Sequence, residues 1–195
     1  RPALGPGRGG VPPGESLADI DELISLFQFP VPAAAATARA RLVEIGAPAI
    51  PALVAATGSW DNKTWKQAMS VLEGIGAAAV PAVVAALEHD ELYVRVHACT
   101  LVGRLDVGVA KEACAEALLA SLGRANALDR SHAALALGVL GVTDASEELR
   151  ELLGSDSDPD VVLAAPLALL ALARQALVHA HRADLRGRRV SYTQL

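Results

Sequence analysis

Ala68, Val71, Leu72 and Ile75 recur at i, i+3, i+4 and i+7, which is one apolar face of an α-helix. Asp61 or Asn62 stands where a short side-chain oxygen caps a helix start, by accepting from a free amide of the first turn. Gly74 and Gly76 predict the helix end, because glycine takes the left-handed conformation at no steric cost. A second helix is expected next, with Pro81 in or near its first turn, where a missing amide hydrogen costs nothing. Val80, Val83, Val84 and Leu87 make its apolar face. One hairpin cannot bury two such faces, so neighbouring hairpins must stack on it.

The neighbours are in the chain. Thirty residues back, Ala38, Arg41, Leu42, Ile45, Gly46, Pro51 and Leu53 fall opposite Ala68, Val71, Leu72, Ile75, Gly76, Pro81 and Val83. Thirty residues forward come Ala98, Leu101, Val102 and Leu105. Ala133, Ala136, Leu137, Leu140 and Gly141 follow after 35 more, and Ala165, Ala168, Leu169 and Leu172 after a further 32. Five related first helices are therefore expected, starting near Ala33, Asp61, Glu91, Asn126 and Pro159. Self-similarity at this period predicts an all-α fold, an α–α superhelix of about five helical hairpins.

Around this array the pattern sets boundaries. Residues 1–15 carry four prolines and five glycines and read as a flexible tail. The repeat domain is expected over 16–183. It opens on a capping helix with Ser16 at its start and Leu17, Ile20, Leu23, Ile24 and Phe27 on one face. The third hairpin's second helix is expected from Val109 to about Leu122, and the fourth's from near Thr143 and Asp144. From Pro159 to about Ala183 only Pro166 interrupts a single long terminal helix, as a kink or a shifted start. Gly187 is expected to end order, leaving 184–195 as a basic tail. The chain opens on Arg1 rather than methionine, which reads as a fragment or a processed product.

The run Ile45-Gly46-Ala47-Pro48-Ala49-Ile50-Pro51-Ala52-Leu53 and the run from Asp129 to Gly138 resemble HEAT repeats of the short bacterial kind found in phycobilisome lyases. The resemblance covers roughly 33–178. It implies a right-handed superhelix whose second helices line a concave surface, and it leaves function open.

Composition narrows the classes. The chain is 52% hydrophobic but only 3% aromatic, and alanine and leucine suit close helix packing better than a sheet. A net charge of −5 disfavours a general nucleic-acid or anionic-membrane binder. From Ala171 onward five arginines face one acid, a net of +4 that leaves −9 on the remainder. Cys99 and Cys114 are too few for a disulfide framework and read as reduced thiols in a cytoplasmic protein. Neither a charge-free apolar run of spanning length nor a secretory leader is read, so no membrane contact is expected.

Candidate chemistry is sparse. Trp60, Trp65, Tyr93, Arg95 and Arg130 are the expected partner-binding residues: aromatics at an array edge anchor interfaces. Arg95 and Arg130 also sit where this repeat pairs arginine with acids, with Asp90, Glu91 and Asp129 at hand. His97 and His132 share one column but lack a carboxylate beside them. The His-Glu dipeptides of iron-dependent HEAT-like hydroxylases are missing. Asp156, Asp158 and Asp160 alternate without the glycine and distal glutamate of a calcium loop. No catalytic, cofactor or metal residue is therefore expected.

The leading expectation is a non-enzymatic scaffold that binds another protein on its concave face, through Ala52, Ala55, Ala56, Ala82, Ala85 and Ala86, or on its edge. One alternative is an enzyme subunit or accessory factor similar to bilin lyases. The other is a nucleic-acid-binding HEAT-like protein, disfavoured by second helices that carry little charge.

Overall fold

The computed structural model describes residues 17–192, with side-chain surroundings from 19 to 183. The expected tail over 1–15 and the Ser16 cap lie outside the described residues. Ten α-helices run in order: α1 (Leu17–Ser25), α2 (Pro32–Ile45), α3 (Ile50–Thr57), α4 (Asn62–Ile75), α5 (Val80–Ala86), α6 (Leu92–Val102), α7 (Lys111–Leu122), α8 (Ala127–Leu140), α9 (Ser146–Ser155) and α10 (Pro159–Tyr192). The five first helices are α2, α4, α6, α8 and α10, each within a residue or so of its expected start.

Local chemistry explains these limits. Asp61 caps α4, its carboxylate accepting from the Thr64 amide at 2.8 Å and the Thr64 hydroxyl at 2.7 Å. Asn126 caps α8 by accepting from the Leu128 amide at 2.9 Å. Pro51 and Pro81 stand second in α3 and α5, where no hydrogen bond is lost. Gly46 and Gly76 end α2 and α4 with φ of 69° and 70° and ψ of −127° and −131°, a conformation closed to side-chain-bearing residues. At the first of these turns the chain bends by 113°. Gly74 does not end α4 as expected but lies inside it. A Cβ there would stand 2.8 Å from Val43 Cγ2, so the missing side chain lets α2 and α4 approach.

The chain divides within α5 into two compact units, 1–82 and 83–195. The first packs α1 to α4 around Phe27, Leu42, Leu53 and Leu72. The second packs α6 to α10 around Leu101, Leu118, Leu137 and Leu149, with α8 against α6, α7 and α10. In both units the repeating alanine is buried: Ala38, Ala68, Ala98, Ala133 and Ala165 are 0–2% exposed. A larger side chain there would hold neighbouring helices apart. Gly138 serves the same end, since a Cβ on it would lie 2.6 Å from Ala168 Cα on α10.

α10 is the expected long terminal helix, 34 residues with Pro166 inside it. Pro166 is exposed, so the Val162 carbonyl it leaves without a helical donor lies on the open side. The helix continues through Gly187 to Tyr192 rather than ending at the glycine. A helical glycine costs about 1 kcal/mol relative to alanine and is no obligatory stop.

A second correction concerns membranes. Asn62–Ala86 and Pro159–Ala183 are long and apolar enough to cross one by length and composition, although no span was expected. Demanding a window free of charge had hidden them. The Gly76 turn divides the first stretch into α4 and α5, whereas α10 is continuous.

Candidate functional site

Two arginines organise the loops of the second unit. Arg95 Nε and Nη2 donate to the two carboxylate oxygens of Asp129 at 2.9 and 2.8 Å. Its Nη1 donates to the carbonyls of His89 and Asp90 at 2.8 and 2.7 Å. Arg130 repeats the arrangement one hairpin on, in α8. It donates to both Asp156 oxygens at 2.6 and 3.1 Å and to the carbonyls of Arg124 and Ala125 at 2.9 and 2.8 Å. Each guanidinium thus ties the loop before its own helix to the next repeat, with planar two-pronged geometry that lysine cannot supply. Asp129 was anticipated as an acid for this pairing; Asp156, 26 residues beyond Arg130, was not. The Arg130 hydrogen bonds, then the Asp158 amide, hold the Asp156 carboxyl below the usual carboxylate value. Pairing with Asp129 raises Arg95 further above its already basic value.

The aromatics have different surroundings. Trp60 is 85% exposed in the loop before α4. Trp65, at the place Arg95 holds in α6, is half-buried; its indole donates to Asn62 Oδ1 at 3.1 Å and Lys66 Nζ lies 5.2 Å from the ring. Tyr93 stacks on buried His97 with ring centres 6.4 Å apart.

The concave features of the second unit lie elsewhere. One cleft runs between α6 and α8, about 210 Å³, with Leu135, Ala136, Val139 and Gly103 as walls and Cys99, Arg104 and His132 among the polar lining. A wider groove of about 560 Å³ lies between α8 and α10, formed by Val139, Ala171, Arg174, Gln175, Val178 and His179. Val139, 56% exposed, lines both, so cleft and groove adjoin at this one side chain along a path on the surface of α8. Gly103 keeps the first open: a Cβ there would approach Val139 Cγ1 to 3.3 Å. Gln175 floors the second. Its amide donates to the Gly138 and Val139 carbonyls, both at 3.1 Å, satisfying the last turn of α8.

The polar groups of this path are defined by their partners. His132 Nδ1 lies 2.9 Å from the Leu128 carbonyl. A carbonyl only accepts, so the proton is on Nδ1, and in the neutral ring Nε2 carries the lone pair. Cys99 is buried and burial pushes its thiol up to about 12, so at neutral pH it is protonated and a poor nucleophile. Burial also raises Cys114; both cysteines are free. In the turn before α10 Asp156 accepts from the Asp158 amide at 2.9 Å and Asp158 from the Asp160 amide at 3.0 Å. Among the described residues no three metal-binding side chains gather.

Sequence reading had looked for the binding surface on the second helices. Ala85 does line a groove of about 380 Å³ with Ala113, Ala117, Ala120, Glu88 and Glu116, whereas Ala86 is buried in the core. The depressions along α8 were not anticipated, although Leu135 and Val139 stand four apart as apolar residues on the helix side facing away from the Ala133, Ala136 and Leu137 core.

Helical hairpins of this length, the first two turned at a positive-φ glycine and resumed at a proline, define a HEAT-like helical-repeat fold of the α–α superhelix class. A chain from the complex of CpcE and CpcF of phycocyanin lyase from Nostoc sp. PCC7120 is similar, with a TM-score of 0.55 and 25% identity, covering 79% of this chain and 99% of that one. An engineered protein is a weaker likeness, with a TM-score of 0.46 and 23% identity over 87% of this chain and 88% of that one. No family model matches, and no curated sequence matches significantly. The resemblance to lyase-type HEAT-like repeats thus holds in three dimensions. The expectation of a non-enzyme does not hold: the similar chain is part of a lyase, an enzyme assembled from two proteins.

Proposed function

We propose that the chain is a subunit of a bilin-lyase-type enzyme, and that it holds an open-chain tetrapyrrole along the path across α8. The observation that carries this is the likeness to the phycocyanin lyase chain, which extends over 99% of that chain. The path suits such a substrate, a long apolar molecule with carboxylate side arms. Leu135, Ala136, Val139, Ala171 and Val178 give apolar walls, and the larger groove alone falls within the ~300–1,000 Å³ of ordinary ligand sites. Arg104 in the cleft and Arg174 in the groove offer cations to the two side arms. Cys99, protonated at neutral pH, leaves the subunit the work of binding and orienting the substrate. A second protein as working partner belongs to the same reading, as does a reducing compartment, which suits free Cys99 and Cys114.

The test is a titration of the chain with biliverdin followed by visible absorbance. A saturable band shift at one equivalent per chain is expected. Arg174→Ala should weaken binding about tenfold, the cost of one charge-assisted hydrogen bond. A spectrum unchanged by protein would overturn the proposal.

A further inference from the structure

The cleft between α6 and α8 has two unlike ends. At one, Gly103 meets Val139, where the wider groove begins, and Arg104 follows directly in the chain. At the other stands His132, seven residues before Val139 on α8 and so about 10 Å away at 1.5 Å per residue. His132, Leu135, Ala136 and Val139 fall at i, i+3, i+4 and i+7, the face that α8 turns to the cleft. His132 Nδ1 is engaged with the Leu128 carbonyl one turn back, which holds the ring in one tautomer. Among the described residues no group bonds to its Nε2.

The other polar groups of the cleft accept poorly. An arginine has donors and no acceptor. The Thr100 hydroxyl is turned to the Val96 carbonyl at 3.3 Å. The Cys99 sulfur keeps its proton and is a weak acceptor. A ligand N–H that enters this cleft therefore finds one strong acceptor, the Nε2 lone pair.

We infer, on the proposal that the path holds an open-chain tetrapyrrole, that His132 Nε2 accepts from the N–H of one of its end rings and so fixes which way the pigment lies. The ligand's chemistry suits this placement. Its end rings are lactams, and each N–H needs an acceptor once water is stripped away. Its carboxylate arms hang from the two middle rings. Arms held by Arg104 and Arg174 near Val139 send an end ring along the cleft towards His132. The cleft of about 210 Å³ admits that ring, and the groove of about 560 Å³ takes the remainder. A carboxylate arm is the poorer occupant of the far end, because it is repelled by the lone pair of a neutral imidazole.

Biliverdin titrations of wild type, His132→Leu and His132→Gln, followed by visible absorbance, test this. Leucine removes the acceptor and keeps apolar bulk, whereas glutamine supplies a neutral acceptor through its amide oxygen. His132→Leu is expected to bind about fivefold more weakly, the scale of one hydrogen bond, with a displaced absorption maximum. His132→Gln should recover most of the affinity and return the maximum towards the wild-type position. Biliverdin dimethyl ester keeps the ring N–H groups and masks the arms, so His132→Leu should weaken its binding by the same factor. Helical circular dichroism should be alike in all three proteins, because the Leu128 carbonyl keeps its backbone bond within α8. If wild type binds and His132→Leu matches it in affinity and maximum, this inference is overturned while the proposed function stands. Equal losses in the leucine and glutamine variants would also overturn it, by assigning the effect to ring packing. So would a loss confined to the free acid, which puts a carboxylate arm on His132. No binding by wild type would overturn both.

Discussion

Gly138 and Gly154 separate two roles that one residue type plays here. Gly138 stands where α8 meets α10, and a methyl group would press on Ala168 Cα at 2.6 Å, whereas nothing lies within 4 Å of a Cβ built on Gly154 in α9. Gly138→Ala should therefore lower stability by about 1–3 kcal/mol. Gly154→Ala should leave it unchanged or raise it by up to about 1 kcal/mol. Denaturant midpoints of the two variants check both. Arg95 supports a similar contrast. Its partner Asp129 has a side chain only 3% exposed, so Arg95→Met strands a buried carboxylate and should cost about 2–4 kcal/mol. Arg41→Met removes an exposed i,i+3 pair with Glu44 and should cost under about 0.5 kcal/mol. The sequence showed that Arg95 and Arg130 repeat and need acids. It could not show that Asp156 serves Arg130, because that depends on where the α9–α10 turn falls in space.

Among elements, the turn before α10 is one that pH should reach. Arg130 and the Asp158 amide hold the Asp156 carboxyl below the ordinary 3.8. A carboxylate held low stabilises the fold fully above its unfolded value, and that contribution is lost as pH falls through the lower folded value. The stability difference between wild type and Asp156→Asn should thus be constant from about pH 5 to 7 and shrink towards zero near pH 2. Thermal unfolding across that range reads it; a difference that grows on acidification would contradict the assignment. Helix limits were legible because caps, prolines and left-handed glycines act locally, as Asp61, Pro81 and Gly76 do. Gly74 was misread because glycine serves both as a stop and as a place where helices approach, and Gly187 because a glycine inside a helix is no obligatory stop. The groove between α8 and α10 was not legible, since Val139 and Arg174 become neighbours only when the two helices pack.

At the scale of the molecule, the repeat fixes the architecture and says little of chemistry. The residues that chemistry would use are engaged or silent: Arg95 and Arg130 hold loops together, Cys99 stays protonated, and His97 is buried under Tyr93. What remains is a pair of apolar-walled depressions on α8 with an arginine beside each, the feature on which the proposed function rests. Visible circular dichroism of biliverdin tests this reading most directly, because a flexible tetrapyrrole gains a strong signed band when a chiral site fixes one of its twists. The wild-type chain should induce such a band. Val139→Trp, which fills the meeting point of cleft and groove from an exposed position, should abolish it without shifting the unfolding temperature. A band of equal strength in both proteins, or none in the wild type, would contradict the account.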